Sequence, residues 1–300
     1  MGNLATDTEV EGSDGRYAGV ISPDWEAWGP NGGFIAALGL RAAHAHGVHP
    51  RLASLSAHFV SAARFGRVDI KVTTLRRSPR AESMRVSVSQ GTRTISESLV
   101  WAVADGLDGI VHDTARPPGV PHPDGLRSIR ELAGPDASPP MPIWQNIDWK
   151  PLDWDDARHA VPDCPSGQPR WAGWYRYFPE PTFADAAADA ARAVILLDLN
   201  PWSAATRVHP SGTGFIAPTL DLSVQFHQPR PDSEWLLADG SADVASGGLV
   251  AGRARVWSSD GTLIASAASS LLCKPLRPAT AGDRLPPVLA GPRTGTPHGC

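Results

Sequence analysis

Two glycines stand at the mouth of a run that otherwise reads as a buried helix. In "PNGGFIAALGLRAAHAHG", Pro30 to Gly47, Gly32 and Gly33 precede an Ala- and Leu-rich stretch that carries no charge until Arg41. Glycine weakens a helix interior, so a pair of them at a helix start has either a turn to make or bare backbone to offer. Backbone N–H groups at a helix start carry partial positive charge, and without a Cβ in the way another group can approach them closely. The plainer alternative is an Asn31 cap followed by a turn-forming glycine pair. A second candidate is Asp221 in "TLDLSVQFHQP", flanked by Leu220 and Leu222. A carboxylate among apolar neighbours needs a partner or a task. A histidine can act as a base or shuttle near neutral pH, but packing or hydrogen bonding is the expected role of both His58 and His227.

Other chemistries lack their residues. The Ser nucleophile motif G-x-S-x-G does not occur, and neither does a P-loop, a dinucleotide fingerprint or a zinc spacing. "SGTGFIAP" contains glycine but precedes a strand, so it does not cradle a phosphate. The cysteines Cys164, Cys273 and Cys300 share no metal-ligand spacing and are expected to be reduced. No metal or cofactor is implied.

These residues need elements to hold them, and the chain supplies the same set twice. A helix over Gly33 to His46 is followed by "LASLSAHFV", "RVDIKVTTLRR", "AESMRVSVSQGTR" and "TISESLVWAV". A helix over Phe183 to Leu197, with "TFAD" resembling a capping box, is followed by "PTLDLSVQFHQP", "EWLLADGSADV", "GLVAGRARVWSSDGT" and "LIASAASSLL". Val68, Ile70 and Val72 alternate with Asp69, Lys71 and Thr73, the period of a strand. Gly91 and Gly261 mark matching turns between the third and fourth strands. One helix followed by four antiparallel strands predicts an α+β fold, each sheet wrapped around its own long helix and the two sheets continuous. Such wrapping explains the uncharged first helix. The second helix is more amphipathic, with Asp185, Asp189 and Arg192 on its polar side.

Residues 1–105 form a first unit, 106–141 a proline-rich connection, 142–275 a second unit and 276–300 a mobile tail. The clustered tryptophans Trp144, Trp149, Trp154, Trp171 and Trp174 are expected to pack the core and the junction between units. A formal net charge of −4 gives no electrostatic case for nucleic acid or an anionic membrane surface. No apolar run is long enough to span a bilayer, and the polar start lacks signal-peptide character, so a cytoplasmic location is expected. Homo-oligomerisation is left open.

A helix wrapped by an antiparallel sheet, duplicated in one chain, resembles the double hotdog fold. The stretches "NGGFIAALGLRAA", "AHFVSAARFGRVDIKVTTLRR", "APTLDLSVQFHQP", "EWLL" and "WSSDGTLIAS" resemble, in order, the acyl-CoA thioesterase II family. The resemblance implies hydrolysis of an acyl thioester, on CoA or a related carrier, within lipid metabolism and without cofactor. It implies a helix N-terminal N–H that stabilises the oxyanion, with Gly33 the first candidate and Gly32 its neighbour. It assigns Asp221 as the base that orients or activates water, within reach of the Gly33 N–H. Ser54 is the counterpart of Asp221 in the first half, so one active site per chain is expected. The family's water-positioning Gln falls on Ser269, and its further Thr or Ser falls on Asp243, with Ser241 and Ser246 nearby. A second reading stays open: a relative that has lost hydrolysis and binds or otherwise processes an acyl or polyketide-like intermediate.

Overall fold

The computed structural model describes residues 1–133, 141–152, 167–209 and 213–276. Trp154, Cys164, Cys300 and the tail from 277 onward lie outside these residues, as does part of the proline-rich connection. The helices are α1 (Leu4–Asp7), α2 (Gly32–His46), α3 (Ile129–Ala133), α4 (Ile143–Asn146) and α5 (Ala186–Thr206). The first-half strands are β1 (Glu11–Ser13), β2 (Arg16–Ile21), β3 (Arg51–Phe59), β4 (Gly66–Arg77), β5 (Ala81–Gln90) and β6 (Arg93–Val103). The second half has β7 (Ile147–Pro151), β8 (Arg170–Tyr177), β9 (Phe215–Ile216), β10 (Thr219–Phe226), β11 (Leu236–Ser246), β12 (Leu249–Ser258), β13 (Leu263–Leu272) and β14 (Lys274–Pro275).

Twelve strands form one antiparallel sheet in the order β1-β2-β4-β5-β6-β3-β10-β13-β12-β11-β8-β7. Read from the centre outward, β3-β6-β5-β4-β2-β1 in one half mirrors β10-β13-β12-β11-β8-β7 in the other. The halves join where β3 pairs β10, from Asp221 opposite His58 to Gln225 opposite Ser54. This is the expected double hotdog, with one addition. Each helix is preceded as well as followed by strands, and "RYAG" at Arg16 and "RWAG" at Arg170 open the equivalent β2 and β8.

The alternation in β4 holds: Val68, Ile70 and Val72 are buried. Gly91 and Gly261 make the matching turns, both with φ in the left-handed region (60° and 85°) that favours glycine. The long helices lie on one face of the sheet and pack antiparallel against each other. The start of α2 meets the middle of α5 at Gly33 and Ile195, while Arg41 in its later half pairs with Asp185 before α5. The wrapping is therefore shared, since each helix covers the other as well as its own strands.

Two expectations about α5 change. Its cap is Asp185, whose Oδ1 accepts from the Ala188 N–H (2.7 Å), and the helix runs on to Thr206. Asp189 and Arg192 are buried, paired with each other, and the Arg192 guanidinium also donates to the carbonyls of Pro181 (2.5 Å) and Ser233 (2.7 Å). Asp189 and Arg192 make that side polar by tying down loops, while Asp185 stays half-exposed.

The connection packs against the second half. Ala115, Val120 and Leu126 cover buried Trp174, Leu237 and Trp257, and Trp174 Nε1 donates to the Pro121 carbonyl (2.9 Å). Trp144, Trp149 and Trp171 form a stepped ring cluster with centroids 6.1 and 5.5 Å apart. Among the described residues no helix is long and apolar enough to cross a membrane.

Candidate active site

The start of α2 is built around a carboxylate delivered by the other helix. Asn31 caps α2: its Oδ1 accepts the Phe34 N–H at 2.8 Å, and its carbonyl accepts from Ile35 at 3.1 Å. The Gly33 N–H donates to Asp198 Oδ2 at 2.8 Å, and Asn31 Nδ2 donates to the same oxygen at 3.2 Å. On the other side, Thr219 Oγ1 donates to Asp198 Oδ1 at 2.8 Å. Asp198 is 8% exposed, so its charge depends on these three donors and the helix-terminal field.

The glycine pair exists for this contact. A Cβ on Gly33 would stand 2.8 Å from Ile195 Cα and 3.1 Å from the Val194 carbonyl oxygen, both backbone atoms of α5. Only a residue without a side chain lets the two helix backbones come so close. Val194, Ile195 and Asp198 share one face of α5 by helical spacing, so the close approach also brings the Asp198 carboxylate onto the Gly33 amide. A Cβ on Gly32 would meet Asp198 Oδ2 and Phe59 Cζ, each at 3.2 Å. The Gly33 N–H is thus engaged by Asp198. Of the first three α2 amides, that of Gly32 is the one with no acceptor among the described residues, and Gly32 is half-buried.

A strand irregularity supplies the threonine. Leu222 and Val224 of β10 point inward, so strict alternation turns Asp221, Ser223 and Gln225 outward and would turn Thr219 outward too. A register shift between Thr219 and Asp221 inserts one residue. Thr219 thereby reaches Asp198, and Leu220 takes the exposed place (38%). Burial pushes the Asp198 carboxyl above its ordinary range, against the opposing pull of the Thr219, Gly33 and Asn31 donors.

The expected residues separate accordingly. Gly32 and Gly33 are at the site. Asp221 does not accept from the Gly33 N–H: it lies on the opposite face of the sheet, opposite exposed His58 on one side and Ser270 on the other. The carboxylate that accepts from the Gly33 N–H is Asp198. Asp243 is exposed at the bulge between Ser241 and Val244 of β11 and does not join the cluster. Ser269 is on the inner face, 7% exposed, opposite Leu222, two residues before the Leu271 that faces Thr219. Its Oγ has no hydrogen-bond partner among the described residues. It borders Pro201 of α5, since a Cβ on Gly252 would be 2.8 Å from Ser269 Oγ and 2.5 Å from Pro201 Cβ. His227 bonds Ser266 Oγ (2.9 Å), and burial lowers its pKa. Among the described residues no group of three or more His, Cys, Asp or Glu side chains is arranged to hold a metal.

Sequence reading missed Asp198 and Thr219. Asp198 falls one residue beyond the expected helix end, in "LLDLNP", where Asn and Pro look like a stop. The available signal was its position in register with Ile195 on an otherwise apolar face.

The comparisons agree with this architecture. Residues 21–103 match the family model for the acyl-CoA thioesterase N-terminal domain, and residues 113–272 match that for the C-terminal domain. Among curated proteins, no sequence matches. A candidate thioesterase from Novosphingobium aromaticivorans is 25% identical, with a TM-score of 0.71 over 88% of this chain and 98% of its own. Acyl-CoA thioesterase II TesB2 from Mycobacterium marinum is 19% identical, with a TM-score of 0.73 over 91% of this chain and 99% of its own. A hot dog fold protein of unknown function from Alicyclobacillus acidocaldarius is similar in the same sense, at 19% identity and TM-score 0.73 over 91% and 98%. With matched domains covering both halves of its duplicated sheet, this chain belongs to the acyl-CoA thioesterase family.

Proposed function

We propose that the chain hydrolyses acyl-CoA thioesters with Asp198 as the general base. The observation that carries this reading is a buried carboxylate held by Thr219, Asn31 and the Gly33 N–H at a helix start. A water bonded to Oδ1 beside Thr219 gives its proton to Asp198 as its oxygen attacks the thioester carbonyl. The carbonyl π pair moves to oxygen, and the resulting oxyanion faces the Gly32 N–H and the positive end of α2. Collapse restores the C=O bond, breaks C–S and expels the CoA thiolate, which takes the proton from Asp198. The raised pKa suits this exchange, because a base is most useful when its pKa lies near the working pH. Gly33 serves by orienting Asp198, and the donor to the substrate shifts to Gly32.

One observation favours the second reading, loss of hydrolysis with retained acyl binding. Where the family has its Gln, the Ser269 hydroxyl is short, buried and unpaired. Release of free CoA thiol from short, long and aromatic acyl-CoAs separates the two. The wild type should release thiol, Asp198→Asn should slow release by on the order of a hundredfold or more, and Ser269→Gln should raise it where the longer side chain fits. Undiminished release by Asp198→Asn would remove the assigned base. No release by the wild type or Ser269→Gln on any acyl-CoA would favour the binding reading.

A further inference from the structure

The segment leaving the candidate site is pinned more firmly than an exposed connection requires. Phe59 ends β3 with its ring beside Gly32. Residues 60–65 follow at the same end of the sheet, where Phe59 faces Ser96 and Gln90 faces Arg93 across the β5–β6 turn. The Val60 and Ser61 amides both donate to the Ile95 carbonyl (2.8 and 3.2 Å). The Arg64 N–H donates to Gln90 Oε1 (2.9 Å), while Gln90 Nε2 donates to the Arg64 carbonyl (2.8 Å). Arg93 Nη2 donates to the Ala62 carbonyl (2.6 Å). These bonds hold Arg64, Phe65 and Arg93 around a surface concavity that Gln90 also lines.

The concavity is cationic on a chain whose formal net charge is −4. The Arg64 guanidinium forms no ion pair among the described residues, and Phe65 is 37% exposed beside it. Guanidinium groups bind phosphate oxygens in pairs, and an exposed ring offers a face to a purine. A loop already fixed loses little freedom on binding.

We propose that this concavity holds the 3′-phosphorylated ADP end of coenzyme A, with Arg64, Phe65 and Arg93 as the residues that recognise it. The inference rests on the thioesterase reading above and names a subsite for it. From Ser96, opposite Phe59, to Arg93 is about 10 Å at roughly 3.3 Å per strand residue. An extended pantetheine arm is long enough to bridge that gap from a thioester lying against Phe59 and Gly32. Arg64 and Arg93 take the phosphates, and Phe65 takes the adenine.

Two measurements test it on the full chain. In calorimetry, adenosine 3′,5′-bisphosphate binds the wild type and binds Arg64→Ala or Phe65→Ala about tenfold more weakly, a loss of about 1.4 kcal/mol. In steady-state kinetics, the ratio of kcat/KM for an acyl-CoA to that for the same acyl pantetheine thioester falls by about tenfold in those variants, through KM. Melting curves confirm that each variant is folded. Nucleotide affinity that is undetectable in the wild type or indifferent to both substitutions would overturn the subsite, as would equal losses on both thioesters. If no thioester is hydrolysed but the calorimetric loss appears, the subsite stands and the hydrolytic reading fails.

Discussion

The two long helices begin in contrasting ways, although the sheet around them repeats strand for strand. At the start of α2 the cap is a neutral Asn31, the next residues are glycines, and the opposite helix contributes a carboxylate, Asp198. At the start of α5 the cap is itself a carboxylate, Asp185; the next residues are Ala186 and Ala187, and the opposite helix contributes Arg41. The strand bulges repeat as well, between Leu52 and Ser54 in β3 and between Thr219 and Asp221 in β10. In the first half the residue before the bulge is apolar Leu52, while in the second it is Thr219, which bonds Asp198. Duplication thus produced two helix ends of the same architecture. One is closed as a capped and ion-paired terminus, and the other gathers a buried carboxylate, its three donors and an amide with no acceptor among the described residues. Chemistry followed a handful of side chains, because the backbone frame is common to both ends.

The largest expected break in this contrast comes from Asp198→Asn. Activity should fall by on the order of a hundredfold or more, while the melting temperature at neutral pH stays level or rises. The sign follows from linkage. A carboxyl whose folded pKa is raised gives stability that is present below its unfolded pKa and lost as pH rises through the folded value. Near neutrality the ionised form is held at a cost, and the amide removes it. The acid limb of kcat/KM should lie above the ordinary carboxylate value of about 3.9. A clear drop in melting temperature together with retained activity would assign Asp198 a purely structural role.

Gly33→Ala should be next. Its Cβ meets the α5 backbone, so the helices must separate, at about 1–3 kcal/mol of stability, and Asp198 is drawn off its donor. The counterpart Ala187→Gly should cost only about 1 kcal/mol, as helix propensity, and leave thiol release unaltered. Denaturation midpoints with rates on both variants check the pair; equal behaviour would mean that the helix contact is not specific to the first end.

Asn31→Asp sharpens the comparison by making the α2 cap resemble that of α5. An aspartate caps as well as asparagine. It replaces the Nδ2 donor with a second negative group beside Asp198 Oδ2, which raises the pKa of the pair. The acid limb of the pH–rate profile should move up by about one pH unit or more, and stability at neutral pH should fall by about 1.4 kcal/mol for each unit. A profile superimposable on the wild type would confine Asn31 to capping.

The smallest effects belong to Asp185→Asn and Asp221→Asn. The first keeps its cap and loses a half-exposed ion pair, worth about 1 kcal/mol or less. The second changes a side chain on the far face of the sheet. Both should release thiol within about twofold of wild type, well short of the effect of removing a group at the reaction centre. A large loss in Asp221→Asn would return the base to β10.

Local physics determined much of this protein from sequence. The uncharged run fixed α2 to within a residue, alternation fixed the faces of β4, and Gly91 and Gly261 fixed equivalent turns. The glycine pair marked the helix start that meets Asp198, and the repeat fixed the double sheet. The strands β2 and β8 open on the matching "RYAG" and "RWAG", which the helix-plus-four-strand repeat leaves out. The carboxylate at the α2 start was decided only in three dimensions. Asp198 and Gly33 are 165 residues apart, and nothing local distinguishes a carboxylate near a helix end that meets water from one that meets another helix. One inserted residue in β10 reverses which of Thr219 and Leu220 faces inward, and a period of two carries no warning of it. Periodicity and turn chemistry are encoded within a few residues, whereas a site assembled by helix contact and a bulge depends on distances that only the packed chain sets.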